Sequence, residues 1–456
     1  MKRFVDYFLH KWKSSPIRKP LLLRGARQVG KTYSVREFGK SFTSFVELNL
    51  ELHPEAREIF EKDLDPHIII RKIFVLTNKS IIPGQTLLFL DEIQLVPNAI
   101  IALRYFYEMM PDLHVIAAGS LLDFAIKTVG MPVGRVSSLY MYPLSFFEFL
   151  SAIGSSAVIE EILLQHSCLH NPNDEISGIF HDKFLDLVGQ YLAIGGMPQS
   201  VACWQNIKDI HTCSEIPHSL IRTYKQDFEK YAQKYQIKYL NVLFTNIPHQ
   251  LGRKFKYSEI EGEYRKRELA PCLDLLLTAN IAHKVMRTGA QGIPLGAQSD
   301  MHTFKVVLID VALSQFVLGL KTGAWMLKPL EEFINKGELV EAFIGQELIA
   351  YENPINEPQL YYWQRETRGA EAEIDYVIQQ EANIVPIEVK SGKGTAMKSM
   401  KSFLETHPES TYGIRFSTNN YSVHEKIHSY PLYAVAKIIA DADQDVKSAL
   451  LVLAKY

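Results

Sequence analysis

The chain has 456 residues, of which 47% are hydrophobic and 22% are charged, and its formal net charge is −2. This length allows about three domains with separate apolar cores, and a charge so close to zero excludes a global basic field that would draw the chain to nucleic acid or membranes. The sequence has no uncharged run of about 18 apolar residues, so no membrane-spanning helix is expected. The run that comes closest, residues 306–320, is interrupted by Asp310.

The first residues and the cysteines indicate the compartment. Residues 1–6 are charged and lack the apolar segment of a secretory signal. The cysteines show no C-x-x-C spacing, which fits a reducing environment; they are Cys168, Cys203, Cys213 and Cys272. We therefore expect a cytoplasmic protein. His166 and His170 flank Cys168, but this triplet lacks the spacing and the second ligand pair of a usual metal site.

A phosphate-binding loop is predicted near the start of the chain. Residues 21–32 read L-L-L-R-G-A-R-Q-V-G-K-T, an apolar run that leads into the pattern G-x-x-x-x-G-K-T. Such a loop lies between a buried strand and a helix, here from about Tyr33; its glycines let backbone N–H groups surround an anion at the positive end of the helix. A chance occurrence in a surface loop is the alternative, and the apolar strand in front argues against it. We predict ATP contacts from Gly25, Ala26, Arg27, Gln28, Val29, Gly30, Lys31 and Thr32.

Within this loop Lys31 would reach the outer phosphates, and the Thr32 hydroxyl would ligate Mg²⁺. A second apolar run, residues 86–90, ends in Asp91 and Glu92. A run without polar alternation is typical of a central parallel strand, and ligands bind at the carboxyl ends of such strands. Asp91 would hold the metal ion and Glu92 would activate the attacking water, although a solvated acidic turn at a strand end is the alternative.

Two further residues are candidates for sensing or stabilising the terminal phosphate. Ser120 follows the apolar run 114–118 and would lie beside the loop if this strand neighbours the other two; a simple helix-capping role is equally possible. Arg135 could stabilise transition-state charge in its own site or in that of a neighbouring subunit, or form an ordinary surface ion pair.

Taken together, these motifs resemble a known family. The segments G-A-R-Q-V-G-K-T, L-D-E-I-Q, A-G-S-L-L, V-G-R-V and Y-P-L-S-F-F-E-F-L are similar to those of bacterial and archaeal P-loop ATPases of the AAA-related superfamily, which carry a C-terminal domain of unknown function. The resemblance continues at residues 195–198 (G-G-M-P), at residues 222–227 and near residue 388. It implies ATP and Mg²⁺ as cofactors and covers essentially the whole chain.

The patterns divide the chain into four regions. Residues 1–155 alternate strands and helices, as a parallel α/β P-loop sheet requires. Residues 156–235 read as a helical linker region, in which the glycines of G-G-M-P are either a functional contact or a helix break. Residues 236–330 are expected to form a winged-helix-like domain, and residues 331–456 an α/β domain like that of restriction endonucleases.

The winged-helix prediction rests on two helical stretches beginning near Tyr257 and Ala270, a short strand from Ile281 and a glycine-rich turn, and it agrees with the family resemblance. Such a fold can enter a DNA groove and contact phosphates; the basic residues available for this are Arg253, Lys254, Lys256, Arg265, Lys266 and Arg267. The acidic residues interspersed among them nearly cancel their charge, so a winged helix that only packs against protein is equally possible.

The C-terminal region carries a second chemical hypothesis. Two strands joined by a polar turn at residues 379–382 are predicted to form a hairpin, with Asp375 on the first strand and Glu388 and Lys390 on one face of the second. This pattern resembles the D-x(n)-E-x-K nuclease core, in which carboxylates hold a divalent ion and the lysine stabilises developing charge. A preceding helix with Glu341 and Glu347 could add a carboxylate. The alternative is a salt bridge at a strand end, and Ile374 stands where the pattern usually has proline.

The sequence therefore predicts an ATP-binding and ATP-hydrolysing protein in which nucleotide state is coupled to a DNA-binding or nuclease-like region. The alternative is an ATP-controlled switch that binds protein partners or DNA through an inactive nuclease-like tail. DNA, protein partners or further copies of the chain are possible partners, and no membrane is expected.

Overall fold

The computed structural model describes residues 1–165, 175–365, 372–392 and 397–455. The helices, numbered in chain order, are α1 Phe4–Ser14, α2 Lys31–Gly39, α3 Pro66–Thr77, α4 Pro97–Met109, α5 Leu122–Val129, α6 Phe146–Ala152, α7 Ser156–Gln165, α8 Gly178–Ile194, α9 Pro198–Ile207, α10 Ile210–Tyr231, α11 Ile237–Asn246, α12 Lys266–Thr278, α13 Val311–Val317, α14 Ala324–Leu327, α15 Pro329–Asn335, α16 Gly337–Ala350, α17 Lys398–Thr406, α18 Val435–Ala442 and α19 Gln444–Ala454. The strands are β1 Leu21–Arg24, β2 Ser44–Asn49, β3 Thr86–Asp91, β4 His114–Ala118, β5 Ser137–Tyr140, β6 Ala282–Thr288, β7 Ser299–Leu308, β8 Leu360–Gln364, β9 Glu373–Gln380, β10 Asn383–Lys390, β11 Gly413–Ser417, β12 Ser422–His424 and β13 Ile427–Pro431.

The N-terminal sheet is parallel throughout and has the strand order β2-β3-β4-β1-β5. Its central strands are apolar runs because helices cover both faces; every residue of β3 and β4 is buried. Strand β4 lies between β1 and β3, which confirms that the strand before Ser120 neighbours the other two. The carboxyl ends of β1, β3 and β4 therefore meet at one edge of the sheet.

A second, mixed sheet contains the remaining strands in the order β12-β13-β11-β10-β9-β8-β6-β7. Strands β9 and β10 form the predicted antiparallel hairpin, with Asn383 opposite Gln380. Strand β6 lies where the short strand of the winged-helix-like domain was expected; it pairs with β7 and joins this sheet because it also pairs in parallel with β8. The sheet is therefore continuous across the predicted boundary at residue 330.

The winged-helix region differs in detail from the sequence prediction. The helix expected from Tyr257 is only a short 3₁₀ turn, Tyr257–Glu259, while α12 and β6 lie where the second helix and the strand were expected. All six basic residues proposed for DNA contact are exposed, and one of them, Lys256, pairs with Glu259 at 2.8 Å.

The regions pack on one another through a shared apolar core. One buried cluster contains residues from α1 through α19, including side chains of both sheets and of the intervening helices. The last helix contacts the first: Nζ of Lys11 on α1 lies 2.6 Å from the carboxylate of Asp445 on α19. The predicted fold class is confirmed: a parallel P-loop-type α/β sheet is followed by helices and a second sheet of mixed strand direction.

Candidate functional site

The loop between β1 and α2 has the backbone shape that a phosphate-binding loop needs. Gly25, Gln28 and Gly30 have φ angles of 136°, 70° and 98°, so the chain turns through conformations that favour glycine. A Cβ at Gly30 would lie 3.1 Å from Nη1 of Arg3, so this position is also closed by packing. Among the hydrogen bonds of the described residues, the N–H groups of Gly30, Lys31 and Thr32 have no acceptor. The loop thus offers free donors at a helix N-terminus, where an anion is stabilised.

Lys31 is buried against this loop. Its Nζ donates to the carbonyl oxygens of Gly25 at 2.8 Å and Ala26 at 2.7 Å. Burial lowers the pKa of Lys31 to about 8, and the nearby carboxylates of Glu92 and Asp91 oppose that shift. The ammonium group is therefore held within the loop by carbonyl contacts that an entering phosphate would replace with stronger charge-assisted ones.

Thr32 and Asp91 meet across the gap between α2 and β3. The Thr32 hydroxyl donates to Oδ2 of Asp91 at 3.1 Å, and Nδ2 of Asn49 donates to the same oxygen at 3.1 Å. Burial, and next the neighbouring Glu92, raise the pKa of Asp91 to about 6. Asn49 was not identified from the sequence, although it ends β2 directly beside Asp91, where the strand-end rule places ligand-binding residues.

The oxygens of Thr32 and Asp91 fit a magnesium ion. Two ligands at about 2.1 Å and at right angles in an octahedral shell are about 3 Å apart, close to the separation observed here. Both groups are oxygen donors, which Mg²⁺ prefers.

Glu92 and Ser120 lie at the same edge of the sheet. Glu92 is half-buried and has a left-handed backbone, φ 52°. Its Oε2 accepts a hydrogen bond from Nε2 of Gln94 at 2.5 Å and lies 3.5 Å from the Ser120 hydroxyl. The predicted serine is thus beside the predicted catalytic base, and Gln94 is a partner that the sequence did not reveal.

Arg135 is not brought to the loop. It lies just before β5, whose first residue, Ser137, is in register with Leu21, the first residue of β1. This is the amino-terminal edge of the sheet, whereas the loop follows the carboxyl end of β1. Nε of Arg135 lies 3.2 Å from the Glu108 carboxylate on an exposed surface. A role in its own site is therefore excluded by position, and only a role in a neighbouring subunit's site stays as a prediction.

Arg3 supports the loop from outside and was missed at the sequence level. Its guanidinium is 5% exposed and donates to the carbonyl oxygens of Val29 and Tyr142 and to the Glu148 carboxylate, each at 2.7 Å. Glu148 in turn caps α6 together with Ser145. No local sequence signal distinguishes this arginine, because its partners lie 26 to 145 residues away along the chain.

Helix α10 also contacts the loop. Oδ1 of Asp227 lies 2.7 Å from Nη1 of Arg27, and the Tyr224 hydroxyl donates to the Arg27 carbonyl at 2.8 Å. Both residues belong to the segment 222–227 that carried part of the family resemblance. This segment therefore has a physical role: it connects the helical region to the phosphate loop.

The G-G-M-P segment lies between the phosphate loop and Asp310, the residue that caps the start of α13. It ends α8, and Gly196 accepts from Leu144 N at 2.6 Å while its own N–H donates to Oδ2 of Asp310 at 2.7 Å. A Cβ at Gly196 would lie 2.1 Å from the Leu144 carbonyl oxygen, so only glycine permits this approach. Pro198, which follows, lies near Gly30 and lines a cleft of 380 Å³ beside the loop.

In the second sheet, Asp375 and Glu388 lie on the two neighbouring strands of the predicted hairpin. Oδ2 of Asp375 accepts from the Val389 N–H at 2.7 Å, and Oε1 of Glu388 lies 2.7 Å from Nζ of Lys390. Glu388 is 4% exposed, and its Oε2 has no hydrogen-bond partner within the part of the chain that is described. Burial, and next the neighbouring Glu341, raise the pKa of Asp375 to about 8.

Lys305 on β7 is an unpredicted member of this group. Its Nζ is buried and lies 2.9 Å from Glu341 and 2.5 Å from Glu373. The carboxylates around it, Glu341 first and Asp375 next, raise the pKa of Lys305 against the effect of burial. A fixed ammonium ion therefore pairs with Glu341, the carboxylate that the sequence offered as a further metal ligand, and with Glu373, which the sequence did not single out.

Glu347 lies elsewhere, which corrects its assignment to this group. Six residues along a helix correspond to a rotation of about 240° and a rise of about 9 Å, so Glu341 and Glu347 face different neighbours. Both carboxylate oxygens of Glu347 accept from the Phe146 N–H, at 3.1 and 3.0 Å, next to α6 of the N-terminal region. Burial raises the pKa of Glu347 to about 8.

Two kinds of feature, metal-binding clusters and membrane-spanning helices, are absent from the described residues. Within the described ranges, no group of three or more His, Cys, Asp or Glu side chains is arranged to hold a metal ion, and no helix is long and apolar enough to cross a membrane. The triplet His166, Cys168 and His170 lies outside the described residues.

Comparison with known families locates three matches along the chain. Residues 17–150 match the model of an AAA domain, and residues 185–324 and 336–435 match two domains of unknown function, DUF8612 and DUF4143. A search of curated proteins finds no match. Together with the strand order and the loop, the first match shows that residues 17–150 have an AAA-type P-loop fold.

Solved structures are similar only at a low level. The Walker-type ATPase PABY2304 of Pyrococcus abyssi is 15% identical, covers 69% of this chain and 95% of its own, and has a TM-score of 0.42. The ORC1 protein of Aeropyrum pernix in complex with DNA is 12% identical, with coverages of 72% and 94% and a TM-score of 0.28. The S. cerevisiae Hsp104–ADP complex is 14% identical, with coverages of 76% and 45% and a TM-score of 0.28. Similarity at this level says nothing about what the present chain binds.

Proposed function

We propose that the chain binds ATP with Mg²⁺ at residues 25–32 and hydrolyses it, and that nucleotide state controls how its C-terminal region engages DNA or a protein partner. The observation that carries this proposal is the convergence of Lys31, Thr32, Asp91 and Glu92 at one edge of a parallel sheet. Lys31 and Thr32 come from the start of α2 and Asp91 and Glu92 from the end of β3, and each has the chemistry that phosphoryl transfer to water needs.

The position of each residue in the site indicates its proposed role. The loop N–H groups and Lys31 bind the phosphates, while Thr32 and Asp91 hold the metal ion, which when bound neutralises phosphate charge. Glu92 accepts a proton from the attacking water, and Gln94 and Ser120 orient its carboxylate. The cleft lined by Tyr33, Leu144 and Pro198 has apolar walls beside Gly30 and is the proposed position of the purine base.

Two contacts are proposed to transmit nucleotide state. On one side, α10 contacts the loop through Asp227 and Tyr224. On the other side, Asp123 at the start of α5, three residues after Ser120, accepts hydrogen bonds from Arg24 of β1 and from Nδ2 of Asn280 at 2.9 Å. A movement of residues at the carboxyl edge of the N-terminal sheet would therefore displace both helix α10 and the β6–β7 hairpin of the second sheet.

For the C-terminal region we propose binding rather than cleavage. The buried ammonium of Lys305 pairs with Glu341 and Glu373, and Asp375 is held by the Val389 N–H. A divalent ion would have to displace or oppose this fixed cation, which costs desolvation and repulsion in a buried site. This favours the switch with an inactive nuclease-like tail over an active nuclease. The exposed basic residues near α12, together with exposed acidic ones, supply a surface for DNA or protein.

The first experiment tests the ATPase. Purified wild type, Lys31→Ala and Glu92→Gln are compared for binding of labelled ATP and for phosphate release with Mg²⁺. We expect Lys31→Ala to lose binding and Glu92→Gln to bind but turn over at least about 100-fold more slowly, as removal of a general base does. Lys40→Ala and Glu37→Gln, an exposed ion pair on α2 and just after it, are matched controls. Normal binding by Lys31→Ala would refute the site.

The second experiment tests the tail. Wild type and Glu388→Gln are incubated with duplex, single-stranded and branched DNA, with Mg²⁺ or Mn²⁺ and with or without ATP, and the DNA is examined for cuts and for retention on the protein. We expect no cutting by either protein and salt-sensitive retention, if any, that is equal for both. Cleavage by wild type that Glu388→Gln abolishes would show an active nuclease and overturn this part of the proposal.

A further inference from the structure

Two cysteines face each other where α9 and α10 pack together. Cys203 is half-buried on α9, Cys213 is 2% exposed on α10, and both are free thiols. Their sulfur atoms are 2.8 Å apart. This is less than 1 Å longer than the covalent S–S distance of about 2.05 Å.

The local fold holds the two thiols in this position. Helices α9 and α10 are joined by a tight turn in which Lys208 has a left-handed backbone, φ 57°. Asp209 then caps α10 by accepting from the Thr212 N–H at 2.8 Å and the Thr212 hydroxyl at 2.7 Å. Because both helix ends are fixed by the turn and the cap, the approach of the thiols follows from the backbone.

The other cysteine in the described part of the chain does not share this geometry. Cys272 on α12 is buried, and its sulfur contacts the Gln236 carbonyl oxygen at 3.9 Å. Burial raises its pKa to about 11, and the atom that its sulfur contacts is a carbonyl oxygen and not a second thiol with which it could form a disulfide. It serves as an internal control for oxidation.

We propose that Cys203 and Cys213 are a dithiol modification site that forms a reversible intramolecular disulfide when the protein meets a peroxide. The sulfur of Cys203, the more accessible thiol, attacks one peroxide oxygen; the O–O bond breaks, giving a sulfenic acid and one water. The sulfur of Cys213 then attacks the sulfenic sulfur; the S–O bond breaks, and the proton of Cys213 leaves with the hydroxide as a second water. Two thiols are oxidised and one hydrogen peroxide is reduced.

The environment of Cys213 makes the rate of the second step depend on pH. Burial, and next the hydrogen bond to Cys203, raise the pKa of Cys213 to about 12. Because the thiolate is the attacking form, the second step should be faster at higher pH. The reaction is therefore slow near neutral pH and faster in mildly alkaline buffer.

The bond would fix the junction of two helices that contact the phosphate loop. Helix α9 begins with Pro198 beside Gly30, and α10 carries Tyr224 and Asp227 to Arg27. Once the helices are linked at 203 and 213, their relative movement is restricted. The consequence is lower amide exchange in residues 198–231, which is measurable without nucleotide and so does not depend on the proposed ATPase.

The test uses the full-length chain. Wild type is treated with hydrogen peroxide at pH 7 and pH 8.5, blocked with iodoacetamide, digested and mapped by mass spectrometry, with and without later reduction by dithiothreitol. We expect a linked pair of peptides containing residues 203 and 213, a mass lower by two hydrogens, faster formation at the higher pH, and complete reversal on reduction. Amide exchange in residues 198–231 should slow in the oxidised form only.

Matched variants distinguish the disulfide between Cys203 and Cys213 from unspecific oxidation. Cys272→Ser should behave as wild type, whereas Cys203→Ser and Cys213→Ser should each abolish the linked peptides. Cys168→Ser should leave the product unchanged. Overoxidation of Cys203 without a linked product, or a disulfide from Cys203 to any other cysteine, would overturn the proposal.

Discussion

Replacing Asp91 by asparagine should make the protein more stable while removing the proposed Mg²⁺-dependent ATP hydrolysis. The Asp91 carboxyl is 3% exposed, and burial beside Glu92 raises its pKa from 3.8 to about 6. The folded state therefore binds this proton more tightly than the unfolded state does. Stability contributed by a raised carboxyl pKa is present at low pH and is lost as the pH rises through the window between the two values.

The magnitude follows from the two pKa values. Ionisation of Asp91 lowers the free energy of unfolding by about 1.6 kcal/mol at pH 5 and about 3 kcal/mol at pH 8. Asparagine avoids this cost, but it cannot accept every hydrogen bond that Asp91 now accepts from Thr32, Asn49 and the Glu92 N–H, a loss of about 1 kcal/mol. The net gain should be about 0.6 kcal/mol at pH 5 and about 2 kcal/mol at pH 8.

Hydrogen exchange of the β3 amides measures this change in stability at the site itself, and it does not assume that the whole chain unfolds in one step. Wild type, Asp91→Asn and the exposed control Asp112→Asn are compared at pH 5 and pH 8 without nucleotide or metal. The reasoning predicts slower exchange in Asp91→Asn, more so at pH 8, and no effect of the control. A gain that does not change with pH, or no gain at pH 8, would refute it. The same variant should lose Mg²⁺-dependent ATP turnover, as expected when a functional site is kept at the expense of stability.

Three other substitutions test the surroundings of the two sites. Asp227→Ala should weaken ATP binding roughly tenfold by releasing Arg27, because a hydrogen bond to a charged group is worth about 1.5–3 kcal/mol; the exposed neighbour Glu229→Ala is the control in a binding titration. Glu347→Gln should remove the fall in wild-type stability between about pH 4.5 and pH 8 that its raised pKa implies; urea unfolding at several pH values will show whether that slope persists. Lys305→Met should lower the free energy of unfolding by about 1–3 kcal/mol at pH 8 and by less at pH 5, because it leaves the partly buried carboxylates of Glu341 and Glu373 without their cation; an unchanged midpoint in urea would contradict this assignment.

The sequence by itself determined the parts of this protein that are encoded within short segments. The loop, the strand ends at Asp91 and Ser120, and the hairpin of β9 and β10 were all predictable, because each depends on the hydrophobic pattern and turn chemistry of about ten adjacent residues. The proposed roles of Lys31 and Thr32 follow from their place in that loop.

Only the tertiary structure decided which distant residues complete the sites. Arg3, Asn49 and Lys305 acquire their roles from partners tens to more than a hundred residues away, and nothing in their local sequence separates them from ordinary surface residues. The rotation between residues along α16 places Glu347 against a different neighbour from that of Glu341. Because β5 begins at the amino-terminal edge of its sheet, Arg135 lies away from the loop. Local patterns specify elements, whereas long-range packing specifies which charged groups end up buried together, and in a medium of low polarity that choice sets their chemistry.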